Sequence, residues 1–222
     1  MRHINPSIKN KKEKGFSLIE LMMALAIGMV ITASIGSLFG RLVKHNSDVL
    51  KMTRLNQDLR ASMLLMSNDI RRAGYWGFAH LGIGGGAVNP FTQGLNELAV
   101  SEYTGEIVNS CVTYAYDRND DGIVDDNELL GFRLNSGVLE MAMQLSSCTA
   151  TTDWEQFSDA NTVNITNVEF VTNHKTIDID GDSVNDMILK EVEVTLSGEL
   201  LADPSVSRTI VETIRIRNES II

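Results

Sequence analysis

Between Phe16 and Gly40 the chain carries one ionisable side chain, Glu20, in twenty-five residues. As a helix this run is about 38 Å long, enough to cross a hydrocarbon layer of roughly 30 Å with some tilt. After Gly40 the apolar positions narrow to a stripe. Met52, Leu55, Leu59, Met63, Met66 and Ile70 recur at intervals of three and four, which is one face of an amphipathic helix. No proline falls between residues 16 and 72, so the two patterns predict a single helix of about 85 Å, half in a membrane and half on a folded body. The stripe ends near Ala73-Gly74. The glycine-rich stretch from Gly82 to Gly86 lacks the strand-turn-helix setting of a nucleotide loop and reads as a flexible connection.

From about residue 107 the period changes to two. Val192, Val194 and Leu196 alternate with Glu191, Glu193 and Thr195, and Ile214 and Ile216 alternate with Arg215 and Arg217. Similar runs occupy Cys111 to Tyr116, Leu129 to Leu134, Val138 to Met143 and Val163 to Val171, with an Asn135-Ser136-Gly137 turn joining the middle two. The expected fold class is therefore α+β: a long N-terminal helix packed on an antiparallel sheet of about six strands. The expected divisions are a basic leader at 1–15, a transmembrane half-helix at 16–40, an amphipathic half-helix at 41–73 and a β-rich body at 74–222.

Charge gives these segments a direction. The formal net charge is −10, yet the first fifteen residues hold Arg2, Lys9, Lys11, Lys12 and Lys14 against Glu13. Positive charge before an apolar span predicts a cytoplasmic N-terminus and an exported body. The acidic remainder repels phosphates, so no direct nucleic-acid partner is expected. Cys111 and Cys148, the two cysteines, both lie in the exported part, where a disulfide between them would persist. Closing that loop contributes about 4 kcal/mol in the chain-entropy model.

A secretory signal is cut after its apolar region, but here the distinctive junction precedes it: Lys14-Gly15-Phe16-Ser17-Leu18-Ile19-Glu20-Leu21-Met22. This string resembles the processing site of type IV prepilins. The resemblance implies that a prepilin peptidase on the cytoplasmic side cuts after Gly15 and that the new N-terminal Phe16 is methylated. Glu20 needs a partner on physical grounds, since a carboxylate in an apolar span costs roughly 2.5–3.5 kcal/mol near the helix centre and less toward the interface. Two partners are open: the freed amine of a neighbouring subunit, which the resemblance implies sets register in a filament, and the amine of the same chain at i,i+4. Small residues at Ala24, Gly28, Thr32, Gly36 and Gly40 would let such helices approach closely. The segment Arg54 to Arg60 and the string Asp69-Ile70-Arg71-Arg72-Ala73-Gly74-Tyr75-Trp76-Gly77 are similar to PilW-type minor pilins.

Two acidic clusters carry the remaining candidate chemistry. Asp117, Asn119, Asp121, Ile123, Asp125 and Glu128 fill the oxygen positions of a twelve-residue calcium loop, with Gly122 at the turn. The alternative is an acidic solvated hairpin turn. Asp178, Asp180, Asp182, Val184 and Asp186 repeat the alternation without the central glycine or closing glutamate, as aspartate-glycine turns between strands also do. Calcium is the one cofactor these patterns point to. His3, His45, His80 and His174 are scattered and no nucleophile motif occurs, so no enzyme is expected.

The expected function is that of a minor pilin, made in the inner membrane and carried into a pilus fibre. Its partners would be prepilin peptidase, the inner-membrane assembly machinery, and other minor and major pilins. Adhesion, DNA uptake and twitching motility are downstream roles between which the residues do not choose. The rivals are a minor pseudopilin of a type II secretion system and a monomeric, membrane-anchored periplasmic calcium-binding protein.

Overall fold

The computed structural model describes residues 15–82, 86–144, 147–178, 187–218 and 220–221. The chain divides into two compact units, Met1–Val49 and Leu50–Ile222, and helix α1 (Leu18–Ile70) contributes to both.

In the first unit the helix is exposed along its described length, apolar residues included: Leu21, Leu25, Met29 and Phe39 all lie open. Its most apolar eighteen-residue stretch has a mean hydropathy of 2.2 and is long enough to cross a membrane. A helix that is apolar on every side belongs in a bundle core or a bilayer rather than in water. Its hydroxyls need no water either. Thr32 donates to the carbonyl of Gly28, Ser34 to that of Val30 and Ser37 to that of Ser34, so each spends its proton within the helix.

In the second unit the rest of α1 is amphipathic. Leu55, Leu59, Met63, Met66 and Ile70 are buried as the stripe predicts, whereas Met52 is 37% exposed and stands outside the core. The covering layer differs from the expected single sheet. Strands β1 (Ala99–Ser101), β2 (Cys111–Ala115), β3 (Leu129–Asn135), β4 (Val138–Ala142) and β5 (Trp154–Gln156) form one antiparallel sheet in chain order. Strands β6 (Val163–Ile177), β7 (Met187–Leu200) and β8 (Asp203–Arg215) form a second antiparallel sheet, with the short β9 (Ser220–Ile221) also pairing β7. All six expected strands are present. The three extra ones, β1, β5 and β9, are only two or three residues long, too short to show alternation.

Inner-face residues of both sheets join the helix stripe in one core: Val112, Tyr114 and Phe132 from the first sheet, and Phe170, Val194 and Leu196 from the second. The buried set on β6 changes parity, from Val163 and Ile165 to Val168 and Phe170, because the register with β7 shifts between Ile165 and Asn167. A bulge of this kind lets one strand keep its apolar side chains inward on both sides of the irregularity. The β3–β4 hairpin turns at Ser136 and Gly137, both at positive φ (52° and 83°), as a two-residue primed turn requires.

The helix packs tightly against the second sheet at Gly198 on β7. A β-carbon added there would stand 3.1 Å from Leu59 Cδ2 and 3.3 Å from Val163 Cγ1. Leu59 thus fills space that any side chain at 198 would contest. Leu59→Ala should destabilise the folded chain by about 2–5 kcal/mol in denaturant melts, because neighbours close only partly around a vacated leucine site.

Candidate functional site

Gly15 and Phe16 lie just before the first residue of α1, and Phe16 is 88% exposed. Glu20 sits in the helix's first turn, where a carboxylate offsets the positive end of the helix dipole. Its Oε2 accepts the backbone N–H of Ser17 at 3.0 Å. Before any cleavage, Glu20 is therefore held by an amide three residues back in its own chain.

At the other end of α1 the dipole is reversed, and Asp69 in the last turn is placed against it. The carboxylate is held by two phenols from β2 and the residue following it: Tyr114 Oη donates to Oδ2 at 2.7 Å and Tyr116 Oη to Oδ1 at 2.9 Å. Arg72 lies over the Tyr116 ring, 5.7 Å from its centroid. The last carbonyls of this turn are met from far along the chain, since Arg217 N–H donates to Arg71 and the Asn218 amide donates to the carbonyls of Arg72 and Ala73. Burial pushes the Tyr114 phenol well above its usual 10.0, and the adjacent Asp69 charge adds to the rise. Tyr116 is raised for the same two reasons.

The string that follows the helix cradles the first acidic loop. Asp117 N–H donates to the Tyr75 carbonyl, Gly77 N–H donates to Asp117 Oδ2, and Tyr75 Oη donates to Asp120 Oδ1. The loop itself spans β2 to β3, ending in a 3-10 turn at Asp126–Glu128. Gly122, at the predicted turn, has φ 74°, and a β-carbon there would fall within the Phe78 ring's space, 2.1 Å from Cδ2. Asn119 Oδ1 accepts from Asp121 N–H and Asp121 Oδ1 from Ile123 N–H. The buried Glu128 accepts from Arg118 N–H at 2.7 Å and Asp125 N–H at 3.1 Å, one amide on each oxygen. Among the described residues no three His, Cys, Asp or Glu side chains are gathered to hold a metal. In the second cluster Asp178 is described, while Asp180, Asp182, Val184 and Asp186 lie outside the described residues.

Cys111 and Cys148 form the expected disulfide, with Cα atoms 6.1 Å apart. Beside it lies a group that sequence reasoning missed. Arg133, opposite Cys111 across β2 and β3, is buried and bonds Glu140 Oε2 at 2.7 Å. It donates as well to the carbonyls of Cys148 and Ala150, and its guanidinium stacks between the rings of Tyr103 and Trp154 at 4.0 and 4.1 Å. The signal was available, because a two-residue turn at 136–137 pairs Asn135 with Val138 and so places Arg133 opposite Glu140.

The family described as prepilin peptidase-dependent protein B matches residues 48–216, and the prokaryotic N-terminal methylation motif matches residues 10–36. The chain belongs to the prepilin peptidase-dependent protein B family. It is similar to the prepilin peptidase-dependent protein B of Escherichia coli (strain K12), 27% identical over 165 residues, which cover 72% of this chain and 78% of that one. No solved structure matches.

Membership of the prepilin peptidase-dependent protein B family bears out the reading of a type IV pilin-like precursor, and the methylation motif falls on the junction from Lys14 to Met22. Together with the apolar helix, it marks this family member as membrane-anchored and as a pilin-like or pseudopilin-like chain. The family's matched region also contains the Asp69 cluster, the acidic loop and the disulfide.

Because Tyr114 and Tyr116 ionise at higher pH folded than unfolded, they support the fold through their neutral forms. Their contribution is fully present below about pH 10 and is lost as pH climbs through the raised folded values. Denaturant midpoints should accordingly fall above about pH 10, and Tyr114→Phe should blunt that fall while lowering stability at neutral pH by about 1.5–3 kcal/mol.

Proposed function

We propose that this chain is a minor pilin of a type IV pilus, a structural subunit and not an enzyme. The observation that carries the reading is the stretch from Phe16 to Gly40: a helix apolar on all sides, the hydroxyls of Thr32, Ser34 and Ser37 bonded internally, with a single carboxylate one turn from the exposed Gly15-Phe16 junction. Such a helix is stable only among lipid tails or other apolar helices.

Cleavage after Gly15 would free the Phe16 amine and leave the anchor in the membrane, the N-terminus having faced the cytoplasm and the body the periplasm. In a bundle of pilin helices the amine of a neighbouring subunit competes with the Ser17 amide for Glu20. That exchange replaces a neutral donor by a cation, and a charge-assisted bond is roughly twice as strong as a neutral one. It is favoured only at the axial offset that brings the two groups together, which gives Glu20 a role in register. The helix from the inner membrane would thereby enter the fibre beside other minor and major pilins, while the β-rich body faces outward. The likeness of residues 54–60 and 69–77 to PilW-type minor pilins supports the pilus over the secretion filament.

Intact-mass analysis of the chain from cells with an active prepilin peptidase should show a mature protein beginning at Phe16, and an uncut chain would refute processing. Glu20→Ala should leave that cleavage intact and reduce incorporation into sheared fibres; normal incorporation would remove the role in register. Deletion should abolish surface pili and spare secreted enzymes, whereas the reverse pattern identifies a pseudopilin.

A further inference from the structure

Only half of the Asp117 carboxylate is used. The residue is 2% exposed; Oδ2 accepts the N–H groups of Gly77 and Gly122, each at 3.0 Å, while Oδ1 is buried and has no hydrogen-bond partner. Leaving a buried charged oxygen unsatisfied costs at least about 1–3 kcal/mol. Gly122 lies in the middle of the loop that Asp117 opens, so its bond to Oδ2 draws the carboxylate over the loop's interior. The carboxylate that carries the orphaned oxygen is therefore bonded into the very loop whose oxygens follow the calcium spacing.

The rest of that interior is rich in acceptors and poor in donors. Asn119 Nδ2 bridges Asp121 Oδ2 at 3.0 Å and Asp125 Oδ2 at 3.3 Å, a neutral amide between two carboxylates. Each Glu128 oxygen holds one backbone amide, which leaves a further lone pair on both. Among the described residues no ion pair reaches these acids, and the guanidinium of Arg118, within the loop, donates to the Asn127 carbonyl instead.

We propose that residues 117–128 form a calcium site. Asp117 Oδ1 is its preplaced ligand, joined by the side-chain oxygens of Asn119, Asp121 and Glu128 and by the Ile123 carbonyl, with Asp125 acting through water. The ion takes over the charge compensation that the Asn119 amide now supplies between Asp121 and Asp125, and the loop tightens as the acids gather. An all-oxygen site in a pliant loop, closed by a glutamate, suits calcium better than magnesium, which demands near-ideal octahedral geometry and keeps several waters. Because Asp117 also holds Gly77 and because Asp120 holds Tyr75, the bound ion stiffens the string that leaves α1. This site stands whether the filament is a pilus or a secretion pseudopilus.

Trp76 provides the probe, since its Nε1 lies 3.2 Å from where a Gly122 β-carbon would be. The full-length chain in detergent micelles is titrated with Tb³⁺ while tryptophan is excited. The expected result is saturable sensitised emission, displaced by Ca²⁺, with affinity lowered at least about tenfold in Asp117→Asn and in Asp121→Asn, because each removes a ligand charge. Asp121 is exposed, so its variant folds even where a change at the buried Asp117 does not. Emission that is absent, that Ca²⁺ fails to displace, or that Asp121→Asn leaves at full affinity overturns the site.

Discussion

The folded body depends on one burial event, the covering of the Leu55–Ile70 stripe of α1 by two sheets at once. Each of Leu55, Leu59, Met66 and Ile70 is withdrawn completely from solvent, and full burial of such side chains contributes about 1.5–3 kcal/mol apiece. The first sheet is further tied to the helix end by the bonds from Tyr114 and Tyr116 to Asp69. The second packs tightly against the helix at Gly198, beside Leu59. The helix is thus a wall common to both sheets, and the core residues of β2, β3, β6 and β7 join its stripe in one cluster.

The same polypeptide solves a different solvation problem in its first unit. Between Leu18 and Gly40 the helix has no apolar face to choose, because every face is apolar, and its polar side chains from Thr32 to Ser37 are turned back on the helix's own carbonyls. Glu20 is the exception, and its place in the first turn is where the helix dipole and the Ser17 amide make a carboxylate least unfavourable. The carboxylate thus stands where the single chain can best tolerate its charge.

How much of this could be read from residues alone depended on the range of the interaction. The helix, its stripe, the six longer strands and the 136–137 turn are local patterns of period 3.6 or 2, and they were visible. Met52 continued the period but lies beyond the cover of the sheets, which only tertiary structure decides. The split into two sheets was hidden because β1 and β5 are three-residue edges and because the long β8 is mostly exposed, with polar residues at many positions. The Asp69 clamp joins residues 45 and 47 apart, and nothing local announces it. The calcium spacing was legible in the loop, whereas the unpartnered Asp117 oxygen and the cradle from Tyr75 and Gly77 needed coordinates.

The seal on the end of α1 has a consequence for the order of events in the cell. Asn218, which closes the carbonyls of Arg72 and Ala73, is synthesised 146 and 145 residues after them. As the chain is synthesised, the helix is made first and its final turn stays unsealed until Arg217 and Asn218 have followed. Any contact built on that turn therefore becomes available only when the late-made tail has closed it.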